Sequence, residues 1–282
     1  MTEFKQYFMD GCFDGYHYGH VNAILQGKLL CNNLILGTHN NDEMSKHKND
    51  PLCDYIERSF MLKHCKYINN FIGDVNYIVS IDTLNKFNCS KYLHADEVLI
   101  TRNGEDGINL DVIKNHYITY ERTFGISTTL LISRLYNYFL GNKIEYNINL
   151  YYLKTIYNKT KKYNMMIYNN NNNIIYISHS WDLLNSIHIK QIQKIKDDYP
   201  NFNLIGIINN NNDEIYIYNQ YERAITLSSI NLIDDVIMDF DYINNEHRYI
   251  NLDNDKKYFI NFNKNHYINS IDFEKFLIKL IN

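Results

Sequence analysis

The densest cluster of residues that could do chemistry lies near the N-terminus, in the segment DGCFDGYHYGH at residues 10–20. A predicted strand ends there in a glycine-containing turn, and His17, Gly19 and His20 stand at the start of the next predicted helix. The N-terminus of a helix offers unpaired N–H groups and the positive end of its dipole, which favour phosphate. Two histidines at i and i+3 share one face, and the glycine leaves room for a ligand. The segment predicts a phosphate site, the alternatives being surface histidines or a fortuitous metal pair.

A second segment, YERTFGISTT at residues 120–129, carries groups of the same kind. Arg122 supplies a forked cation for phosphate, and Gly125 permits a close approach. Ser127 and Thr128 can cap the following helix while they offer hydroxyls to phosphate oxygens. The segment predicts a second part of the phosphate site, and the alternative is an ordinary capped helix.

Between these two segments lies the polar loop Lys46-His47-Lys48. A run of charges is usually a solvated surface feature. By itself the loop therefore predicts no site, and only the flanking motifs give it a functional interpretation.

The elements that must position these residues alternate between strands and helices. Apolar strands predicted at 7–9 and 34–38 enclose a helical pattern at 21–30, which makes a β-α-β unit. Apolar residues at helical spacing recur at 56–68 and 127–140. Further strands are predicted at 76–81 and 91–100. This alternation predicts an α/β fold with a Rossmann-like parallel sheet, flanking helices, and ligands beyond the carboxyl ends of the strands.

The second half of the chain contains a degenerate copy of the first. Asp14 aligns with Asp182, and the segment LILGTHNNDE at 34–43 resembles LIGIINNNNDE at 204–214. Further matches are Glu57-Arg58 with Glu222-Arg223 and Tyr77 with Tyr242. We therefore predict a duplicated fold with a first domain at 1–142, a linker at 143–168 and a degenerate second domain at 169–282. Chance similarity in a chain rich in Asn, Ile and Tyr is the alternative.

Composition agrees with two folded domains. The chain has 282 residues, 45% of them hydrophobic and 15% aromatic. A domain typically has about 150 residues, so the length predicts two domains. This apolar content excludes disorder as the main state. The five cysteines are odd in number and form no C-x-x-C pair, so we expect reduced thiols rather than a disulfide framework or a zinc site.

Charge and hydropathy exclude two further classes of protein. The net charge of −4 argues against a general nucleic-acid binder. No apolar run approaches the roughly 18 residues of a transmembrane helix, and the N-terminus lacks the features of a signal peptide. We expect a soluble, cytoplasmic protein with no transmembrane segment, and we leave open a homodimer and peripheral association with the endoplasmic reticulum.

Together the two motifs resemble the cytidylyltransferase family, whose signatures are H-x-G-H after the first strand and R-T-x-G-I-S-T-T before the last helix. Both are intact, at 17–20 and 122–129, and the resemblance covers residues 5–140 strongly and about 170–245 weakly. It implies that the phosphate of phosphoethanolamine attacks the α-phosphorus of CTP and releases pyrophosphate. Choline phosphate or glycerol 3-phosphate is the alternative acceptor, and a nucleotide-binding pseudoenzyme or regulatory partner is the alternative outside enzymes.

The resemblance also implies roles for individual residues. His17, His20, Lys48 and Arg122 would be catalytic, because they position the phosphates and neutralise their charge. Asp14 and Tyr77 would bind the phosphoethanolamine ammonium. The residues implied in CTP binding are Gly11, Cys12, Phe13, Gly19, Lys46, Asp96, Glu97, Thr123, Gly125, Ile126, Ser127 and Thr128. Mg²⁺ would accompany CTP, and no metal-binding side chain is expected.

This chain departs from the family pattern in both halves. Ala95 and Glu97 replace the glycine and the second aspartate of an H-G-D-D segment, and Leu130 stands where the family often has aspartate. In the second half the segment Asn185–His188 occupies the H-x-G-H positions, and Asp213 falls near the position of Lys48. One histidine and the glycine are therefore missing there, so we predict a non-catalytic packing partner.

Overall fold

The computed structural model describes residues 4–97, 104, 114–146, 148–167, 173–210, 214–238 and 248–251. The chain divides into two compact units, Met1–Phe124 and Gly125–Asn282. Each unit contains a β-sheet whose strand pairs are all parallel. The predicted α/β class with parallel sheets is thereby confirmed. No helix in the described ranges is both long and apolar enough to cross a membrane.

The first unit is built on five strands in the order β3-β2-β1-β4-β5. They are β1 (Gln6–Gly11), β2 (Asn33–Thr38), β3 (Asn70–Gly73), β4 (Lys91–Ala95) and β5 (Tyr117–Tyr120). The chain leaves β1 toward β2 and β3, then crosses to β4 and β5 on the other side. The carboxyl end of β1 therefore lies at the switch point, where open α/β sheets bind their ligands.

Four of the helices in the described ranges accompany this sheet, and each of these four begins at a side chain that caps it. They are α1 (Tyr18–Leu30), α2 (Asn41–His47), α3 (Tyr55–Lys63) and α4 (Ile81–Lys86), capped by His17, Asn40, Asp54 and Ser80 respectively. A side-chain acceptor at this position satisfies one of the N–H groups that the helix itself leaves unpaired. Part of the core lies between these elements, with Phe8, Ile35, Val75, Val79, Leu84, Cys89 and Tyr92 packed together.

The strand predicted at residues 76–81 is wrong. This segment is irregular apart from a single bridge residue at Val79, and it leads into α4. Tyr77 and Val79 are buried while Ile78 between them is exposed, which gives the alternation typical of a strand. Ser80 ends the segment because it caps α4 in a capping box with Thr83. The alternating pattern therefore predicted burial correctly, but it could not show that only Val79 forms a bridge.

The second unit contains four strands in the order β8-β7-β6-β9. They are β6 (Ile174–His179), β7 (Asn203–Ile208), β8 (Asp235–Met238) and β9 (Arg248–Asn251). Its described helices are α5 (Thr128–Phe139), α6 (Leu150–Ile167), α7 (Ser186–Asp198) and α8 (Gln220–Ser228). The order of the first four strands of the first unit, β3-β2-β1-β4, is repeated, which confirms the predicted duplication.

Buried polar frames repeat along with the strands. The carboxylate of Asp14 accepts two consecutive backbone N–H groups, and so does that of Asp182. The donors are Leu52 and Cys53 at 2.7 and 2.8 Å in the first unit, and Ile217 and Tyr218 at 2.7 and 3.0 Å in the second. The guanidinium groups of Arg58 and Arg223 repeat as well, since the Nε of each donates 3.1 Å to the carbonyl of the residue five positions earlier. Side-chain geometry thus supports the alignment of the two halves.

Along the chain, the boundary between the two compact units lies between Phe124 and Gly125. The domain boundaries predicted from the sequence lie at 142 and 168. Helix α5 groups with the second unit, and most of the segment predicted as a linker forms α6. The boundaries at 142 and 168 remain predictions about the duplicated segments. The predicted counterparts Asp213 and Tyr242 lie outside the described residues.

Candidate active site

The two histidines of the H-x-G-H motif form a stacked pair at the start of α1. Their ring centroids are 3.8 Å apart, with the planes inclined by 14°. His17 is the N-cap of α1, and its Nδ1 accepts the backbone N–H of Gly19 at 3.2 Å. An Nδ1 that accepts carries no proton, so the neutral ring bears its proton on Nε2. His17 thereby offers a fixed N–H donor at a helix N-terminus.

His20 is held in its neutral form. Burial lowers the pKa of His20 to about 3, and the nearby ammonium of Lys48 lowers it further. Its Nδ1 is buried and has no hydrogen-bond partner among the described residues. A group with this pKa is a poor proton acceptor near pH 7, because general bases work best with a pKa near the working pH. His20 is therefore suited to donate a hydrogen bond to a phosphate rather than to remove a proton.

We expect the His20 imidazole to remain neutral from pH 5 to pH 8 in the ligand-free protein. Carbon-bound proton signals of the histidines, followed by NMR across this range, would show no titration for the signal that disappears in a His20→Gln variant. A titration of that signal with a midpoint near 6.5, the ordinary value for histidine, would contradict the buried, neutral ring.

Thr123, near the start of the second motif, contacts the turn that carries the histidine pair. The Thr123 hydroxyl accepts from the side-chain amide of Asn22 at 3.0 Å and donates to the carbonyl of Gly19 at 3.3 Å. The Tyr18 hydroxyl donates to the carbonyl of Phe124 at 2.9 Å. The sequence placed the two motifs more than a hundred residues apart in the chain. The structure brings the H-x-G-H turn and Thr123 into direct contact.

Arg122 lies at this point of the chain with its guanidinium half-exposed. It forms an ion pair with Glu97, and its backbone N–H donates to Asp96 at 2.7 Å. Both acidic residues had been assigned to CTP through the resemblance. In the ligand-free structure they contact Arg122, so a triphosphate that binds Arg122 has to compete with Glu97.

Lys48 and Tyr77 lie together beside the histidines. The Lys48 Nζ lies 5.8 Å from the Tyr77 ring centroid. Partial desolvation lowers the pKa of Lys48, but the neighbouring Cys12, Tyr77 and Glu97 raise it more, so the net shift is upward. The Tyr77 ring is 3% exposed and stacks on His47 at 4.7 Å between centroids. Lys48 is therefore a charged cation next to a buried aromatic face, and both Lys48 and Lys46 are exposed.

Asp14, assigned through the resemblance to the acceptor ammonium, has a different environment. Its side chain is 1% exposed, and its two carboxylate oxygens accept the backbone N–H groups described above. Asp182 makes equivalent bonds in the unit that has lost the H-x-G-H motif. A feature kept where the chemistry is gone belongs to the fold, so the geometry favours the bracing of the turn by Asp14.

Asp10 is a candidate that the sequence reasoning missed. It ends the apolar run YFMD of β1 at the switch point of the sheet, and its side chain is 8% exposed. One carboxylate oxygen accepts the Tyr92 hydroxyl at 2.7 Å, while Oδ2 is buried with no partner among the described residues. Burial raises the pKa of Asp10, although nearby His39, His94 and Lys48 lower it. An acidic residue at the end of a central apolar strand was the available signal.

The other residues assigned to CTP fall into two groups. Gly11, Cys12 and Phe13 follow the end of β1 in the first unit, where Phe13 is buried and has a φ of 50°. Gly125, Ile126, Ser127 and Thr128 belong to the second unit. Ser127 caps α5, because its hydroxyl accepts the backbone N–H of Leu130 at 3.2 Å. The predicted cap is confirmed, whereas the contacts with CTP remain predictions.

In the second unit, side chains occupy two positions that are glycines in the first unit. Asn185 caps α7 and accepts the N–H of Ile187 at 3.0 Å, as His17 accepts that of Gly19. Ile187 replaces that glycine, and His179 ends β6 where Gly11 ends β1. The His179 ring contacts the His188 ring at 5.0 Å between centroids. Side chains therefore stand in the second unit where the first unit has the glycines Gly11 and Gly19.

We expect the full chain to bind one CTP and not two. Isothermal titration of the purified protein with CTP would give a stoichiometry of about one per chain, because His179 and Ile187 stand in the second unit where the first unit has Gly11 and Gly19. A second saturable site in the same affinity range would contradict this account of the second unit.

Known proteins resemble this chain in the region that carries both motifs. The sequence model of the cytidylyltransferase-like family matches residues 8–134. A probable ethanolamine-phosphate cytidylyltransferase of Schizosaccharomyces pombe is 27% identical over 219 residues, which are 68% of this chain and 60% of that protein. The mouse ethanolamine-phosphate cytidylyltransferase is 33% identical over 126 residues, which are 45% of this chain and 31% of that protein. This chain therefore spans less than two thirds of the length of either relative.

A longer match is found with the ethanolamine-phosphate cytidylyltransferase of Saccharomyces cerevisiae. It is 25% identical over 267 residues, which are 83% of this chain and 80% of that protein. Two choline-phosphate cytidylyltransferases also resemble the chain, over 49% and 45% of its length. The names of these relatives all include cytidylyltransferase, and the match to the family model includes the histidine pair. Over residues 8–134, this chain is similar to the cytidylyltransferase-like family.

Proposed function

We propose that this protein is an ethanolamine-phosphate cytidylyltransferase, which transfers CMP from CTP to phosphoethanolamine in phosphatidylethanolamine biosynthesis. A phosphate oxygen of phosphoethanolamine attacks the α-phosphorus of CTP, the bond to the β-phosphate oxygen breaks, and CDP-ethanolamine and pyrophosphate form. The observation that carries the proposal is the stacked pair His17 and His20, which presents neutral donors at the N-terminus of α1. The names and extent of the relatives support the same activity.

The side chains act by binding and charge neutralisation. Phosphoryl transfer needs little covalent chemistry from a protein, since the transition state is stabilised mainly by positioning and by donors aimed at the phosphate oxygens. In our proposal the Nε2–H of His17 and the ring of His20 donate to the α-phosphate and the departing pyrophosphate. Lys48, which stays charged, bridges the nucleotide and the acceptor phosphate.

Arg122 is proposed to bind the β- and γ-phosphates. Its guanidinium contacts Glu97 in the ligand-free structure and is half-exposed, so it is accessible to a polyphosphate. A guanidinium binds phosphate through two parallel hydrogen bonds, which gives directional binding that a lysine does not give. Exchange of Glu97 for the triphosphate would therefore accompany nucleotide binding.

Asp10 and Tyr77 are proposed to bind the ammonium of the acceptor. Asp10 has a buried carboxylate oxygen without a partner among the described residues, and a cation there would stabilise its ionised form. Burial raises the pKa of Tyr77, the ammonium of Lys48 opposes that rise, and the charge of Asp10 adds to it. An aromatic face next to a carboxylate suits a primary ammonium group.

Magnesium is proposed to enter with CTP. The groups gathered around His17 and His20 are hydrogen-bond donors and the ammonium of Lys48, which fit phosphate oxygens better than a metal ion. Mg²⁺ is commonly held by substrate phosphates rather than by a cage of protein ligands. When bound it would neutralise charge on the triphosphate, and the side chains named above would still hold the phosphates in place.

Phosphoethanolamine is favoured over the other acceptors by the extent of similarity. The ethanolamine-phosphate enzymes from two yeasts match 68% and 83% of this chain, which includes much of the second unit. The two choline-phosphate enzymes match less than half of it. Choline phosphate and glycerol 3-phosphate remain the alternative acceptors, and product analysis distinguishes them.

The test is a comparison of acceptors. Full-length protein is incubated with CTP, Mg²⁺ and phosphoethanolamine, phosphocholine or glycerol 3-phosphate at equal concentration, and the CDP product is measured. We expect CDP-ethanolamine as the main product and at least tenfold less turnover with Lys48→Ala. Faster formation of CDP-choline or CDP-glycerol would assign another acceptor. Binding of CTP with no product from any acceptor would identify a pseudoenzyme.

Two further predictions accompany this proposal. A cytoplasmic location follows from the expected substrates, and attachment to the endoplasmic reticulum and a homodimer are left open. Cell fractionation and measurement of molar mass in solution test them separately from the activity.

A further inference from the structure

The second unit contains a buried ion pair that involves the signature helix. Arg134 lies on α5 with its side chain 3% exposed, and Glu222 lies on α8 with its side chain 0% exposed. The Arg134 Nη1 donates to both carboxylate oxygens of Glu222, at 2.9 and 3.0 Å, and to the carbonyl of Ile217 at 3.3 Å. Helix α5 begins directly after the G-I-S segment of the second motif, so this pair attaches the motif to α8.

The duplicated position in the first unit shows that this use of the glutamate is specific to the second repeat. Glu57 aligns with Glu222, and each is the third residue of its helix. Glu57 is only half-buried, whereas Glu222 is completely buried against Arg134. The aligned arginines Arg58 and Arg223 keep the same backbone contact in both units. The second repeat therefore keeps the common frame and buries its glutamate in an ion pair with Arg134.

The contacts of Arg134 hold α5 in place within the second unit. Its guanidinium lies over the rings of Tyr146 and Tyr218, at 5.3 and 5.9 Å from their centroids. A buried ion pair is weak support for stability, because apolar side chains of similar size often do as well. The Nη1 bonds of Arg134 to Glu222 and Ile217 are directional, so they favour one position of the helix, while the buried Nε of Arg134 has no hydrogen-bond partner among the described residues.

The segment that leads into α5 is fixed at its other end. Gly125 has a φ of 79°, and a Cβ placed on it would lie 2.6 Å from the Ile148 side chain. Ser127 then caps the helix. Contacts at Gly125, at Ser127 and at Arg134 thus hold the first turns of α5 within the second unit.

We propose that the second repeat positions the triphosphate-binding end of α5 through the Arg134–Glu222 pair. This inference rests on the proposed function and on the assignment of Ser127 and Thr128 to CTP binding, which the resemblance implies. Arg134 and Glu222 are positioning residues that contact no substrate.

The principal variant is the double substitution Arg134→Met with Glu222→Met in the full chain, which leaves no buried charge unpaired. We expect a thermal midpoint within a few degrees of wild type, a KM for CTP raised about tenfold, and kcat and the KM for phosphoethanolamine within twofold. The single variant Glu222→Gln should raise the KM for CTP as well. Lys161→Met is the matched control, since it breaks the Lys161–Asp235 ion pair of 3.1 Å in the same unit and should leave the KM for CTP unchanged.

A second readout separates this inference from the proposed activity. Hydrogen exchange of the backbone amides at 128–131 should be at least fivefold faster in the double variant than in wild type, and unchanged in Lys161→Met. Wild-type protein without CTP turnover would refute the proposed function. Hydrogen exchange would still test whether the Arg134–Glu222 pair holds α5 in place. Unchanged exchange, or faster exchange with an unchanged KM for CTP, would overturn the inference.

Discussion

Replacement of His17 by asparagine is expected to lower kcat by about 10² to 10³-fold, the usual cost of removing one donor from a charged transition state. Asparagine keeps the helix cap, as Asn185 shows at the equivalent position of α7. The variant should therefore fold with a thermal midpoint close to wild type. Loss of the Nε2–H donor to the α-phosphate is then the remaining cause of the slower reaction, measured as formation of CDP-ethanolamine.

The matched control for this prediction is Asn185→Ala. It removes the cap of α7, which costs about 1 kcal/mol of stability, but it touches no residue of the proposed site. We expect a lower thermal midpoint and a kcat within twofold of wild type. A His17→Asn variant with full turnover would remove the histidine pair from the mechanism, whichever acceptor is used.

Replacement of Asp10 by asparagine is expected to lower kcat/KM for phosphoethanolamine by about 10- to 100-fold. A hydrogen bond to a charged group contributes about 1.5–3 kcal/mol, and about 1.4 kcal/mol corresponds to a factor of ten. Asparagine has nearly the same size and can still accept the Tyr92 hydroxyl, so the fold should persist. The KM for CTP should stay within twofold, because the ammonium belongs to the acceptor.

Asp14→Asn is the informative contrast. This carboxylate braces two backbone N–H groups and is 1% exposed, so its loss should lower the thermal midpoint. The KM for phosphoethanolamine should not change in the protein that remains folded. If Asp14→Asn raised that KM while Asp10→Asn left it unchanged, the ammonium site would belong to Asp14, as the resemblance alone had implied.

Local sequence patterns were sufficient for the site's main elements. The H-x-G-H segment combines a strand end, a glycine turn and a helix start within a few residues, so His17 and His20 could be placed at the N-terminus of α1 without knowledge of distant contacts. The second motif was equally local up to Ser127, which caps α5 as predicted. The duplication was also detectable, because Asp14 and Arg58 have counterparts of the same residue type in Asp182 and Arg223.

Longer-range features could not be predicted from one sequence. The irregular segment around Tyr77 alternates buried and exposed side chains like a strand, and it differs from a strand in that only Val79 forms a bridge. Asp10 and Asp14 are the same residue type four positions apart, and their different roles depend on which backbone groups reach them. Arg134 reads as one position of an amphipathic helix, and its partner Glu222 is 88 residues away in the chain.

The central claim is that this chain transfers CMP from CTP to phosphoethanolamine. Pyrophosphate release from CTP by the full-length protein, measured with and without phosphoethanolamine, tests it most directly. The account predicts release only when the acceptor is present, with one CDP-ethanolamine formed for each pyrophosphate. Release at the same rate without the acceptor, or no release with it, would contradict the account.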